Sequence, residues 1–181
     1  LMCVLAFVAN QATAAVPPAP KLPADAYFLM DATTGQVLVD NNGDLSLPPA
    51  SLTKIMTSYV LAEEVDAGIA SLDDMIKVSR NAWSQNPTFK GSSLMWIEPG
   101  KPVSLADLER GVVISSGNDA SVAVAEHLAG TESSFVDVMN QLAAELGLDN
   151  TVYRNPHGLP HPEHRTTARD LATLSVCLLY T

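Results

Sequence analysis

PPASLTKIMTSYVLAEEV, Pro48 to Val65, reads as a helix with chemistry in its first turn. The paired prolines suit the entry to a helix, where a missing N–H costs nothing and φ is already set. Apolar residues at Ile55, Met56, Tyr59, Val60 and Val65 repeat at the helical period, giving an amphipathic helix. Asp66-Ala67-Gly68 ends it. Ser51 and Lys54 stand three residues apart, so they share a face with Cβ atoms about 5–6 Å apart. A hydroxyl and an amine then lie within hydrogen-bonding reach. A serine needs a base to become a nucleophile, and a lysine serves if its amine is neutral. The positive end of the helix disfavours an ammonium, and burial would disfavour it more. The free backbone N–H of Ser51 is also placed to donate to an oxyanion.

Ser-x-x-Lys alone decides little. With 15 Ser and 5 Lys in the chain, chance supplies roughly 0.4 such matches. The plainer reading is a helix capped by Ser51 with Lys54 in solvent. Position raises the motif: two prolines before it and a helix after it. Ser116-Gly117-Asn118 is a second element. Ser-x-Asn also occurs at Ser79 and Ser84, but only the copy at Ser116 breaks two apolar helical stretches sharply. From such a turn a hydroxyl could relay a proton to a leaving amine, and an amide could orient lysine and substrate. An ordinary helix cap is the bland alternative.

Working outward toward the N-terminus, YFLMD (Tyr27–Asp31) and QVLVD (Gln36–Asp40) flank a turn ending in Gly35 and read as a β-hairpin. Residues 16–25 form a Pro-rich, extended lead-in. Before them, an apolar run from Leu1 to Ala9 is followed by Ala12-Thr13-Ala14, a small–x–small cleavage signature. Residues 1–15 are therefore expected to be part of a signal peptide, cut near Ala14 or Ala15. The run is too short to span a bilayer. Cys3 would leave with it, so Cys177 stands as a packed small hydrophobe and no disulfide framework is expected.

Toward the C-terminus, Ser71–Arg80 is mixed and Asn81–Gly91 is a loop. Ser104 caps a helix running to Ile114, and Asp119–Ala129 resumes as helix. Ser133 or Ser134 caps a further helix that Gly147 ends. Tyr153–Arg165 is a loop rich in Pro and His, and Thr167 caps a last helix from Ala168. A net charge of −10, with Lys+Arg 10 against Asp+Glu 20, leaves no basic stripe for nucleic acid and disfavours anionic lipid.

Four stretches together resemble the low-molecular-mass penicillin-binding proteins. They are PASLTKIMTSYV (Pro49–Val60), GSSLMWIEPGKPVSLADLERGVVISSGNDASVAVAEHLAG (Gly91–Gly130), NPHGL (Asn155–Leu159) and TTARDLATLS (Thr166–Ser175). More narrowly, they are similar to the serine-type D-alanyl-D-alanine carboxypeptidases. The resemblance implies an α+β, serine β-lactamase/DD-peptidase-like fold over residues 26–181: an antiparallel sheet packed with helices, plus a helical subdomain. It implies Ser51 as the acylated nucleophile, Lys54 as its general base, Ser116 as a catalytic relay and Asn118 as a substrate-binding residue. The substrate would be the peptidoglycan pentapeptide, β-lactams would acylate Ser51, and no metal or organic cofactor is called for. It further implies a periplasmic enzyme of cell wall remodelling and cell shape. Inner-membrane association would come through a C-terminal segment absent from these residues.

The family's third motif, Lys-Thr-Gly or a close variant on a later strand, is nowhere in the chain. Residues 26–181 are thus expected to be the N-terminal part of the domain, lacking later strands, and the 181 residues to be inactive and poorly folded alone. A class A β-lactamase would carry Ser-Asp-Asn where this chain has Ser-Gly-Asn. In addition, Glu163 is the sole acid in the Tyr153–Thr167 loop. A DD-endopeptidase of the same fold remains close, and a non-catalytic binding protein is a further alternative. A metal site at His157, His161, His164 and Glu163 fits poorly, since the spacing is not His-Glu-x-x-His and three prolines forbid a helix.

Overall fold

The computed structural model describes residues 18–180. The expected signal segment and the first residues of the lead-in lie outside them. Residues 18–25 are exposed and irregular. Strands β1 (Tyr27–Met30) and β2 (Val37–Asn41) then pair antiparallel, with Tyr27 opposite Asn41 and a register shift between Leu29 and Met30. Asp31 folds the turn by accepting from the backbone N–H groups of Thr33 and Thr34, the local bonding for which aspartate is favoured in turns.

A short 3-10 turn, Ala50–Leu52, leads into helix α1 (Thr53–Asp66). The sequence pattern predicts an amphipathic helix, and the structure corrects that. Thr53, Lys54 and every residue from Met56 to Leu61 are buried. The reason is tertiary: four later helices pack around α1, so its polar positions are enclosed as well. Those helices are α2 (Leu105–Ser115), α3 (Asn118–Ala129), α4 (Glu132–Glu145) and α5 (Ala168–Tyr180). Strands β3 (Met75–Lys77) and β4 (Pro102–Ser104) pair antiparallel, which the mixed reading of Ser71–Arg80 leaves open. The described residues thus hold two separate two-stranded sheets.

Caps follow local chemistry. Ser104 Oγ accepts from Asp107 N at 3.1 Å, and Thr167 Oγ1 from Asp170 N at 3.1 Å, as the sequence predicts. For α4 the cap is Thr131, not Ser133 or Ser134: its Oγ1 accepts from Ser134 N at 3.0 Å. Thr131 is the residue with extended backbone (φ −142°, ψ 154°), and a side chain caps only from such a conformation.

The core has two parts. Leu105, Leu108, Val112, Val122, Phe89 and Ile97 fill one, beside α2 and α3. Met56, Val60, Phe135, Met139, Tyr153 and Leu174 fill the other, between α1, α4 and α5, with Cys177 packed against it. α1 serves both, giving Leu61 to the first and Met56 and Val60 to the second. The β1–β2 hairpin is held to α5 by Arg169. Its guanidinium donates to Asp44 at 2.7 Å and Asp40 at 2.6 Å and lies 4.5 Å from the Phe28 ring centroid. Among the described residues, no helix is long and apolar enough to cross a membrane.

Candidate active site

Ser51 sits in the 3-10 turn and is exposed, while Lys54 is the second residue of α1 and is buried. The turn is held open by an unusual backbone. Ala50 has φ +48°, a left-handed conformation that costs a residue with a Cβ on the order of 1–2 kcal/mol. Gly158 presses against it with φ +89°, and a methyl on Gly158 would land on the Ala50 carbonyl and 3.0 Å from Ser51 N. Only glycine fits there.

The Lys54 amine donates to Asn118 Oδ1 and to the backbone carbonyl of His157, both at 2.7 Å. Burial pushes its pKa down to about 8, and the Asp119 carboxylate opposes part of that. A neutral amine has two N–H bonds and one lone pair. With both N–H groups engaged, the lone pair is the direction left to accept a proton. The Ser51 hydroxyl makes no hydrogen bond to Lys54 in this structure. The α-helix begins at Thr53, so Ser51 lies in a tighter turn rather than on the regular face that i,i+3 spacing assumes.

Ser51, Lys54 and Ser116 line one cleft of about 320 Å³, together with Ser58, Glu109 and Val112. Ser116 ends α2 in a left-handed conformation (φ 51°, ψ 37°), and α3 starts two residues later at Asn118. The break read from the sequence is therefore a turn that sets a hydroxyl at the cleft and an amide on the lysine. Gly117 permits it: a Cβ there would sit 3.1 Å from both Met95 N and Asp119 Oδ1.

Four residues that sequence reasoning did not assign complete the arrangement. Asp119 is fully buried, and its carboxylate accepts the backbone N–H groups of Met95, Trp96 and Ile97 at 2.8, 2.8 and 3.1 Å. It thereby ties the loop before β4 to the start of α3. The Glu109 carboxyl is pushed up by burial, and its Oε2 has no hydrogen-bond partner among the described residues. Gly158 braces the nucleophile turn, and His157 supplies a backbone acceptor to the base. An Asp directly after Ser-Gly-Asn was the available signal for Asp119. His157 and Gly158 lie in the NPHGL stretch, but neither their backbone roles nor the burial of Glu109 is readable short of the fold.

The His-rich loop is tied to α1 by three side chains: Thr53 to His164 Nε2 at 2.7 Å, Lys54 to the His157 carbonyl, and Thr57 to the Pro156 carbonyl at 2.6 Å. Each imidazole accepts a backbone N–H at Nδ1: His157 from Leu159, His161 from Glu163 and His164 from Arg154, all at 3.1 Å. Burial holds His164 neutral, with its pKa down to about 4. Among the described residues, no group of three or more His, Cys, Asp or Glu side chains is gathered to hold a metal ion.

Comparison with known proteins extends this geometry. The Peptidase S11 family, D-alanyl-D-alanine carboxypeptidase, matches residues 10–180. The D-alanyl-D-alanine carboxypeptidase DacC of Escherichia coli is 47% identical over 176 residues, covering 97% of this chain and 43% of that protein. DacD of Salmonella typhimurium is 44% identical over 174 residues, covering 96% of this chain and 45% of that protein. The crystal structure of penicillin binding protein 6B from Escherichia coli superposes with a TM-score of 0.87 at 44% identity, covering 91% of this chain and 52% of that one. The chain spans less than half the length of these curated relatives, and its fold is that of the penicillin-binding DD-peptidases.

Proposed function

The chain belongs to the D-alanyl-D-alanine carboxypeptidase family of serine peptidases, and from that premise we propose that it supplies the nucleophile, base and relay of a carboxypeptidase acting on peptidoglycan stem peptides. Neutral Lys54 takes the Ser51 proton on its lone pair. Ser51 Oγ attacks the carbonyl carbon between the last two D-alanines, forming the C–O bond while the C–N bond breaks. The departing amine of the terminal D-alanine takes a proton through the Ser116 hydroxyl. Water then hydrolyses the ester and restores Ser51. The Asn118 amide orients lysine through Oδ1 and leaves its NH₂ for the substrate backbone. The substrate carboxylate is met by a Lys-Thr-Gly strand in the full-length protein. A β-lactam imitates the D-Ala-D-Ala terminus, acylates Ser51 and stays.

One observation carries this reading. The Lys54 amine is buried, held by two 2.7 Å bonds and shifted toward neutrality, in the same cleft as Ser51 and Ser116. General bases are tuned toward working pH by such burial. We place the protein in the periplasm, exported by its signal peptide, with the full-length form on the inner-membrane surface, acting in cell wall remodelling and cell shape.

The test is fluorescent-penicillin labelling of the full-length protein beside its Ser51→Ala variant, with D-alanine release from a pentapeptide as second assay. Stable labelling lost in the variant, with D-alanine released by wild type, is the expected result. Cleavage of cross-linked dimers without D-alanine release would make it an endopeptidase. Penicillin turnover would make it a β-lactamase, and labelling that survives in Ser51→Ala would overturn the assignment.

A further inference from the structure

The acceptor that fixes the lysine is a backbone carbonyl, and a carbonyl points only where its peptide plane is held. At His157 that plane is held directly by Asn155 Oδ1, which accepts Gly158 N at 2.6 Å, and further by both ends of one buried side chain. The ring is 5% exposed. Its Nδ1 accepts from Leu159 N at 3.1 Å, so the neutral ring carries its proton on Nε2. Nε2 faces Glu132 Oε1, on the first turn of α4, at 3.5 Å. Phe89 closes a third side, edge-on, with ring centroids 5.9 Å apart. Glu132 is itself held, since Asn81 Nδ2 lies 3.4 Å from its other oxygen. The next residue, Gly158, braces Ala50 and so the nucleophile turn. One two-residue segment therefore touches the base through its carbonyl and the nucleophile through its backbone. Besides the carbonyl's bond to Lys54 on α1, the imidazole–carboxylate contact ties this segment to α4.

We infer that Glu132 and His157 are a positioning pair: Glu132 accepts from His157 Nε2 and so aims the His157 carbonyl at the Lys54 amine. This rests on Lys54 acting as the base. Glu132 stands two contacts from the reacting atoms and is a positioning residue, not a catalytic one. The pair needs an acceptor at position 132 rather than a charge, because the neutral ring donates to an amide oxygen as well as to a carboxylate. Without an acceptor the buried N–H is orphaned, and the ring turns to find another.

Stopped-flow acylation of the full-length protein by a fluorescent penicillin separates binding from acylation. In Glu132→Ala the acylation rate constant should fall about tenfold, because misplacing a reacting group by a fraction of an ångström costs on that scale. Penicillin binding before acylation should stay unchanged. Glu132→Gln should recover acylation to within about twofold of wild type. Glu132→Ala acylating like wild type overturns the inference, and so does Glu132→Gln falling as far as Glu132→Ala. If Glu132→Ala does not fold, imidazole ¹⁵N shifts of the wild-type protein decide. Protonated Nε2 with bare Nδ1 at His157 supports the pair, and the opposite tautomer overturns it. Acylated wild type with no variant effect counts against this pair alone, whereas unlabelled wild type counts against Lys54 as base.

Discussion

The start of α1 and the His-rich loop before α5 look alike in sequence terms, since each gathers chemically capable residues in a short span. They do different work. The α1 end holds Ser51 exposed and Lys54 buried, the two groups that move a proton. The loop's three imidazoles each accept a backbone N–H at Nδ1, and the Nε2 atoms of His157 and His164 face Glu132 and Thr53, so their polarity goes into shaping and holding the loop. What reaches the site from the loop is backbone: the His157 carbonyl on Lys54 and the Gly158 Cα against Ala50. A catalytic side chain needs one reactive atom free. A scaffold needs every polar atom occupied, because an orphaned buried group costs about 1–3 kcal/mol.

Breaking the two sides should therefore give different failures. Lys54→Met should leave the fold intact and lower penicillin acylation by about 10³-fold, the scale of a lost general base. In wild type the neutral amine is the active form, so acylation should rise with pH through about 8 and level off above it, read from a pH–rate profile. Flat acylation across that range would remove Lys54 from the role. On the loop side, Gly158→Ala puts a methyl on the Ala50 carbonyl at a left-handed φ. It should cost about 3 kcal/mol in denaturant titration, with acylation lost alongside.

The smaller effects sharpen the contrast. His164 is buried neutral with its pKa down from 6.5 to about 4. The unfolded chain binds that proton more readily, so stability should fall as pH drops from 6.5 toward 4. His164→Asn should show a shallower loss of Tm over that window than wild type. Smallest of all, the Tyr153 hydroxyl is buried with no hydrogen-bond partner among the described residues. Tyr153→Phe should shift stability by under about 1 kcal/mol and leave acylation untouched, since it orphans nothing.

Much of this fold is local and was legible as such. The hairpin, the Ser104 and Thr167 caps, the break at Ser116–Asn118 and the end at Gly147 each depend on a few neighbouring residues. Thr131 was missed because Thr131, Ser133 and Ser134 offer three hydroxyls in four positions. Which one caps depends on where Gly130 turns the chain out of α3. The β3–β4 pair was missed because each strand is three residues long, too short for a periodic signal.

The site divides the same way. The sequence alone determined that Ser51 and Lys54 share a helix start and that a sharp turn presents Ser116 and Asn118. Those are statements about residues a few positions apart, where backbone geometry fixes the spacing. Only the tertiary structure decided that Lys54 is buried, that Asn118 lies 64 positions away on its amine, and that the His157 carbonyl lies 103 positions away. A lysine becomes a base through desolvation and its distant partners. Neither is a property of its neighbours in the chain, because both arise when α2 to α5 close around α1.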